Sequence, residues 1–347
     1  MQKFYRFTFL IVVGLFLNIN HADAQVDVVG DFLSVGAEDA QKLTRAYLKP
    51  LASGVGAGFN SGWISTAKSH SPLGFSVQLR SGLAIVPDGD QIFNIEELGL
   101  SENISVNQAN EGIDQTLSQN ISGRDQPGPE LIVQQFGQEV TRFQLPSGAE
   151  LDKIPTPYVQ ASVGLIKGIQ VTGRFIPEIS IVDDFGEFNM WGFGAKANMN
   201  ELLPFGNRLP FEVSIAGGFN SSTITANLDV LDENRPEDIF EGQEAELDFD
   251  SFVASAVIGK SFPIVSLYTG VGFQSSEMDA SIKGSFPIPT LTGTEIVEDP
   301  VSFSQDGDNE VHGIVGIQFK LAIFSLTAEY TLSEFQILNA GIGVSFR

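Results

Sequence analysis

The sequence has no cysteine and few of the residue types on which many protein functions depend. Without cysteine the chain can form no disulfide or thiolate metal site, and it has no cysteine that a lipid could modify as a membrane anchor. It has only three histidines, and its 19 lysines and arginines are outnumbered by 43 aspartates and glutamates, for a net charge of −24. Such an acidic chain repels nucleic acid, so we exclude nucleic acid as a partner.

Long apolar runs are also missing. The apolar run 7–17 is too short to cross a bilayer as a helix, and no later stretch has the 18 apolar residues of a transmembrane helix. The run follows Lys3 and Arg6 and precedes the small-residue site 22–24, which is the arrangement of a signal peptide. We therefore expect residues 1–24 to be removed on export.

The chain is rich in glycine and phenylalanine, with 36 and 28 residues, and much of it alternates in polarity. Apolar residues occupy every second position in many stretches, and Gly, Ser, Asn, Gln and Thr occupy most positions between them. This alternation predicts strands with one apolar and one polar face. The predicted strands are 51–63, 75–85, 91–98, 158–165, 169–175, 188–197, 211–224, 247–259, 264–274, 310–321, 324–331 and 338–347.

Strand length and the small, uncharged polar face favour a transmembrane barrel over a soluble sandwich or solenoid. A membrane-crossing strand needs about 9–11 residues, and a soluble surface would carry more lysine and glutamate. If the first strand runs outward from the periplasm, most periplasmic connections are short and the long polar segments 99–157, 225–246 and 275–309 lie outside. The predicted fold is all-β, a transmembrane antiparallel barrel over 51–347. It has 12 strands, or 14 if ELIVQQ and EVTRFQL in the first long loop add a hairpin.

Residues 25–50 have a helical periodicity instead. A short amphipathic helix is predicted over 37–48, and Pro50 is expected to stop it. Its apolar stripe consists of Ala40, Leu43 and Tyr47. The glycines expected to line the inner wall beside it are Gly54, Gly56 and Gly58. We expect the helix to fold back against these glycines and plug the barrel.

The polar faces of the strands carry scattered charges of both signs, which could pair across a lumen. The residues expected to face the lumen are Arg80, Arg174, Lys196, Glu212, Asp248, Asp250, His312, Lys320 and Glu329. His70 lies in a predicted outer loop and no serine is tied to His312, so no enzyme is predicted. The acidic segments 88–90 and 306–310 do not match the spacing of an EF-hand, so neither a metal site nor a cofactor is predicted.

Three stretches resemble an uncharacterised family of exported proteins from Bacteroidota, a domain of unknown function. They are DAQKLTRAYLKPLASGVGAGFNSGW (39–63), YVQASVGLIKGIQVTGRFIPEI (158–179) and WGFGAKANMNELLPFGNRLPFEVSIAGGF (191–219). More distantly, the layout resembles the FadL/TodX transporters of hydrophobic compounds, which have a plug segment and a fourteen-stranded barrel. Those transporters usually carry an Asn-Pro-Ala motif that this chain lacks. Resemblance to outer-membrane barrels also implies that assembly machinery recognises the last strand, where Phe346 precedes Arg347.

Three functions are compatible with these expectations, and the lipid bilayer is a predicted partner in each. The first is a plugged outer-membrane channel for uptake of small hydrophobic or amphipathic molecules, which needs a continuous lumen and a displaceable plug. The second is a structural or adhesion barrel acting through its outer loops, which needs a filled lumen and ordered loops. The third is an outer-membrane lipid hydrolase, which needs a serine and histidine at the lipid-facing wall.

Overall fold

The computed structural model describes residues 30–107, 115–181, 186–204, 206–228, 242–291 and 293–346. The predicted signal peptide lies outside these residues. Helix α1 spans Ala37–Asn60 and helix α2 spans Met199–Leu202. The strands are β1 (Phe75–Ile85), β2 (Ile92–Asn94), β3 (Ile104–Val106), β4 (Leu117–Gln119), β5 (Glu130–Gln135), β6 (Gln138–Gln144), β7 (Lys153–Gly164), β8 (Ile169–Ile181), β9 (Gly186–Asn198), β10 (Glu212–Asn227), β11 (Glu244–Ser261), β12 (Val265–Lys283), β13 (Ser285–Thr290), β14 (Gly293–Glu298), β15 (Val301–Asp306), β16 (Glu310–Leu321), β17 (Phe324–Leu332) and β18 (Gln336–Phe346).

Ten of the described strands form a closed antiparallel barrel, which confirms the predicted fold class with fewer strands than the 12 to 14 expected. The order around the ring is β1, β7, β8, β9, β10, β11, β12, β16, β17 and β18. The ring closes where β18 pairs with β1, and there the rings of Phe75 and Phe346 stack with centroids 4.9 Å apart. Closure pairs every strand on both sides, as a bilayer requires.

Two predicted strands are missing from the ring. The stretch 51–63 is the second half of α1 followed by an extended segment, and 91–98 forms only β2 and a short 3₁₀ turn. Pro50 lies inside α1 rather than at its end. Val55 and Phe59 are spaced by four residues, so the stretch fits a helical period as well as an alternating one. ELIVQQ and EVTRFQL do pair, as β5 and β6, but outside the barrel.

The connections at the two ends of the barrel differ in length. The first and last barrel strands, β1 and β18, begin and end at what we call the inner end. Its connections are 165–168, 199–211, 262–264 and 322–323. Long connections lie at the opposite, outer end: 86–152, 228–243 and 284–309. Short periplasmic turns and long external loops are typical of outer-membrane barrels, and the two ends of this barrel differ in the same way. Strand β1 runs opposite to its predicted direction because the predicted strand before it is not in the ring.

Beyond the outer end lies a folded layer, which we call the cap. It contains the sheet β3–β5–β6, the pairs β2–β4 and β13–β14, and strand β15, which pairs with the outer half of β12. Strands β11 and β12 have 18 and 19 residues, more than the roughly 9–11 that cross a bilayer, and they continue into the cap. Their polarity inverts there: Phe249 and Met278 point inward and are buried, while Asp250 and Glu277 are exposed.

The outward face of the ring is apolar. Large hydrophobic side chains exposed on it include Phe175, Phe193, Val271, Val315 and Ile342. Soluble monomers rarely expose such a wide apolar band, whereas the lipid-facing surface of a transmembrane barrel consists of one. Among the described residues, no helix is both long and apolar enough to cross a bilayer.

Candidate functional site in the lumen and the cap

Helix α1 begins in the cap and descends into the barrel. Near its upper end, the backbone N–H of Ile121 in the cap donates to the carbonyl of Tyr47 at 3.1 Å. At its lower end, the side-chain amide of Asn60 donates to the carbonyl of Ser275 on β12 at 3.0 Å. The extended segment 61–74 then continues down to the inner end, where β1 begins. The chain therefore threads its own barrel from the outer end to the inner end.

The predicted plug stripe lies at the top of α1. Ala40 and Leu43 are fully buried and Tyr47 is nearly so, in one hydrophobic core with side chains of the cap. The Tyr47 hydroxyl donates to the carbonyl of Ser147 at 3.1 Å. Burial raises the pKa of Tyr47 to about 12, so this hydroxyl keeps its proton at neutral pH. The stripe thus joins the helix to the cap at the outer mouth, instead of packing on a glycine-lined wall.

The glycines predicted to line the barrel wall belong to helix α1 itself. The glycines lie on the helix and pack against side chains of the wall, which is the reverse of the prediction. A Cβ at Gly56 would lie 2.2 Å from the Cβ of Ser276 on β12, and one at Gly58 would lie 2.6 Å from Thr156 Oγ1 on β7. Gly54 makes a similarly close approach to β7. Hydrogen in place of a side chain lets the helix pass between the walls of a narrow barrel.

Below the helix, buried polar side chains surround residues 59–68, and we call this group the collar. Its members are Arg80, Tyr158, Arg174, Lys196, Tyr268, Glu329 and Asn339. An extended segment cannot satisfy its own backbone groups, so in a closed lumen the wall must supply their hydrogen-bond partners. The collar does this mainly through contacts with the backbone of the threaded segment.

Arg174 lies at the centre of the collar. Its guanidinium stacks on the rings of Trp63 and Tyr158, with Cζ 3.8 Å and 4.0 Å from the two ring centroids. It also donates to the Ser61 carbonyl at 2.8 Å and to the carbonyl of Phe59. A planar guanidinium can use its faces for rings and its edge for carbonyls at once, which a lysine ammonium cannot do.

Glu329 and Arg80 contact the next residues of the threaded segment, Gly62 and Ser65. Glu329 accepts a hydrogen bond from the backbone N–H of Gly62 at 2.7 Å and another from the Tyr268 hydroxyl at 2.7 Å. Arg80 donates to Oδ1 of Asn339 from two nitrogens, at 2.8 and 3.0 Å. Glu329 therefore binds the threaded segment, and Arg80 binds the neutral side chain of Asn339.

Lys196 closes the lower part of the collar. Its Nζ donates to the carbonyls of Thr66 and Lys68 at 2.9 and 3.0 Å. The prediction that lumenal charges pair with one another is wrong for the collar. Among the described residues, no ion pair within 4.0 Å joins Arg80, Arg174 or Lys196 to a carboxylate. Backbone carbonyl dipoles compensate much of the positive charge instead.

Five of the nine residues predicted to face the lumen lie outside the collar, and His312 is one of them. Glu212 and Lys320 are half-buried at the inner end, where Lys320 Nζ donates to Ser345 Oγ at 3.1 Å. Asp248 and Asp250 lie on the outside of β11, opposite the buried face, so the prediction that they face the lumen is wrong. The reason is that β11 has left the bilayer at this height, where the outward face meets water and the inward face meets the cap core.

Each of the two described histidines contacts a serine, which the sequence analysis missed. His312 Nε2 lies 3.3 Å from Ser255 Oγ inside the lumen. His70 Nε2 lies 3.0 Å from Ser76 Oγ at the inner end, and not in an outer loop as predicted. His312 Nδ1 has no hydrogen-bond partner among the described residues, so no acid orients that ring as in a hydrolase triad. The pair also lies behind the wall that a lipid substrate would meet.

Three collar residues were not predicted to face the lumen: Tyr158, Tyr268 and Asn339. Alternation within their strands places all three on the inward, polar face, and a tyrosine among glycines and serines was the available signal. Asn339 Nδ2 donates to the hydroxyl of Tyr158 at 3.1 Å, which links the first and last parts of the ring.

Little free space remains beside the collar. A cavity lined by residues including Trp63, Ser255, His312 and Glu329 has a volume of about 10 Å³. That volume is enough for about one water molecule. A larger cavity of about 260 Å³ lies in the cap, between the start of α1, strand β5 and the β13–β14 hairpin. Of these two cavities, the larger lies in the cap, beyond the outer end of the barrel.

One family matches the chain along residues 1–346. The chain belongs to DUF6588, a family of unknown function. Membership confirms the resemblance to an uncharacterised family. No curated protein is similar in sequence to this DUF6588 chain.

Several solved structures match this DUF6588 chain at low identity and low TM-score. Ail, the attachment invasion locus protein of Yersinia pestis, is 8% identical over 80% of this chain and 99% of its own, with a TM-score of 0.27. The translocator domain of the autotransporter NalP from Neisseria meningitidis is 8% identical over 91% and 99%, with a TM-score of 0.31. The toluene transporter TbuX from Ralstonia pickettii is 8% identical over 86% and 97%, with a TM-score of 0.18.

The fit of Trp63 between β9 and β10 of the DUF6588 barrel gives a direct test of the threaded path. A Cβ at Gly194 would lie 2.5 Å from Cζ3 of Trp63. We expect Gly194→Val to lower the temperature at which the barrel unfolds in detergent. The change in gel mobility on heating measures that temperature. Trp63→Ala in the same chain should restore part of the loss, because the two side chains compete for one volume, while the approach of the new Cβ to the Gly217 carbonyl oxygen at 2.8 Å remains.

Gly173→Val is the matched control, since a Cβ there meets only the Gly192 carbonyl at 4.0 Å. A double variant as unstable as Gly194→Val alone would show that Trp63 does not occupy this space.

Proposed function

We propose that this protein is an outer-membrane barrel that is closed by its own amino-terminal segment and acts through its cap. The observation that carries this proposal is that α1 shares one continuous hydrophobic core with the cap, while the collar binds the segment that follows. A plug anchored at both ends favours a permanently closed lumen over a gated one. The working surface is then the folded layer on the outer side.

The anchoring at the top is extensive. Four large side chains at this contact are completely buried. Two come from helical residues, Leu33 and Leu43, and two come from the cap, Leu131 and Phe286. Full burial of such side chains stabilises a fold by about 1.5–3 kcal/mol each. Withdrawing α1 would expose them together, so we infer that the closed state is the stable one.

A second candidate is the plugged uptake channel for small hydrophobic or amphipathic molecules. It is favoured by buried polar atoms near the collar that have no hydrogen-bond partner among the described residues, including Asn60 Oδ1, Trp63 Nε1 and Thr331 Oγ1. Unpaired buried polar groups weaken the contact between a plug and its wall. In this alternative, the segment 61–74 moves aside while α1 stays in the cap.

Both candidates place the chain in the outer membrane after cleavage of residues 1–24, inserted by the assembly machinery of that membrane. Both also treat the chain as a non-enzyme. The apolar outward face and the short inner turns support this location.

Orientation can be tested without background labelling because the chain has no cysteine. The exposed positions Glu38, at the start of α1, and Gln138, in the cap, should react with a membrane-impermeant maleimide on intact cells when changed to cysteine. Lys167→Cys, in an exposed inner turn, should react only after the cells are broken. Labelling of Lys167→Cys alone on intact cells would place the cap in the periplasm and overturn the proposal.

A further inference from the structure

Two neighbouring hairpin tips of the cap form a surface that we call the apex. Phe136, at the β5–β6 tip, is 100% exposed, and Leu291, at the end of β13, is 39% exposed. The backbone N–H of Leu291 lies 3.5 Å from Oε1 of Gln135, so the two tips are in contact. The apex therefore presents two apolar side chains to solvent.

The backbone at Phe136 is unfavourable for its residue type. Phe136 and Gly137 are the two loop residues of the hairpin, with φ of 51° and 76°. Positive φ at both positions corresponds to a type I′ turn, which favours Asn, Asp or Gly at the first position. A phenylalanine here combines a disfavoured backbone with a fully exposed ring, and neither helps the chain to fold. Such outliers mark surfaces used for binding.

A cleft with an apolar floor and a polar rim lies beside this tip. It is the cap cavity of about 260 Å³, and its floor includes the buried side chains of Val133 and Ile288. Its rim includes Asn103, Gln135 and Thr290, with Glu295 as the one charged residue among those that line it. An apolar cavity of about 150 Å³ is large enough to bind benzene. The cleft can therefore accept a phenyl ring.

We propose that the apex is a self-association site, in which Phe136 of one copy enters the cleft of a second copy. The ring and the cleft lie side by side on one surface, so a two-fold axis lets each copy donate one ring and accept another. The tip sequence Gln134–Gln138 is uncharged in a chain with a net charge of −24. Glu295 is the one charged residue that lines the cleft, so two copies bring few like charges together there, whereas like charges would disfavour contact over most of the surface.

This inference rests on the proposed function, since it names the partner of the cap. The test is sedimentation equilibrium of the full chain in detergent. The wild type should form a dimer, and Phe136→Ser should raise its dissociation constant by at least about 30-fold, the loss expected when a buried aromatic anchor is removed. Leu117→Ser is the matched control, because Leu117 is 36% exposed on a cap strand away from the apex, and it should leave dimerisation unchanged.

Cross-linking locates the contact. A mixture of Gln138→Cys and Glu295→Cys chains, treated with a short bismaleimide, should give a mixed dimer that disappears when Phe136→Ser is added to both. A dimer that survives Phe136→Ser would place the interface elsewhere and overturn the inference.

A wild type that stays monomeric, or whose Phe136 captures a different macromolecule instead, would also overturn it. Bilayer conductance separates this failure from failure of the proposed function. A monomer that conducts no ions leaves the closed barrel standing, whereas a conducting wild type contradicts the proposed function itself.

Discussion

Deletion of residues 30–73 should convert a non-conducting barrel into an open, anion-selective pore in planar bilayers. The deleted segment fills the lumen, and a helix with its side chains has a diameter of about 10–12 Å, so its removal leaves a passage wide enough for hydrated ions. The pore would then be lined by Arg80, Arg174 and Lys196 against Glu329, all of which lose their contacts with the threaded segment. The excess of positive charge should favour chloride, which a reversal potential measures.

The control deletion removes the β13–β14 hairpin, residues 285–298, which belongs to the cap and leaves the lumen filled. It should remain non-conducting. Both chains must show the gel mobility of a folded barrel before they are compared. A folded 30–73 deletion with unchanged conductance would mean that wall side chains close the lumen by themselves, and that the threaded segment is not the plug.

The second large effect concerns the collar. Arg174→Met should lower the free energy of unfolding by about 2–5 kcal/mol. It removes three charge-assisted hydrogen bonds, to the carbonyls of Phe59 and Ser61 and to Oε1 of Gln160, at about 1.5–3 kcal/mol each, and two stacked ring contacts. Asn220 and Tyr158 still donate to the two carbonyls, which limits the loss. Loss of the desolvation cost of the guanidinium offsets part of this. Urea unfolding in detergent measures the change.

Fluorescence can follow this unfolding locally, because the chain has two tryptophans and Trp191 lies on the outward face. In a Trp191→Phe background, Trp63 reports on the collar alone. Arg124→Met is the control. Arg124 is exposed in the outer connection 86–152, so its replacement should change the free energy of unfolding by no more than about 0.5 kcal/mol. Equal effects of the two substitutions would show that Arg174 does not hold the threaded segment.

The collar has a consequence for how such a barrel assembles. Arg174 and Glu329 bind the backbone of residues 59–62, which lie inside a ring closed by the pairing of β1 with β18. The segment therefore has to be in place before or while the ring closes. Polar contacts suit this order, because water can occupy the same donors and acceptors until the segment arrives.

The sequence by itself determined the barrel class and the inward placement of Arg80, Arg174, Lys196 and Glu329. Alternation of side chains along a strand is a local property, so the faces of β1, β8, β9 and β17 could be predicted without knowing their neighbours. Turn lengths are equally local, and from β7 onward they predicted which connections lie outside.

Only the tertiary structure decided the features that depend on the surroundings of a segment, such as its secondary structure, the solvent its faces meet and the partners of its charges. The stretch 51–60 fits a strand or a helix by its own pattern, and enclosure in the lumen selects the helix. Asp248 and Asp250 continue the alternation of β11, but only the height of the bilayer decides which face meets water. Arg174 and Lys196 bind backbone carbonyls of the threaded segment rather than carboxylates across the lumen. These outcomes depend on which groups meet across the lumen and the cap, and sequence periodicity carries no information about such long-range contacts.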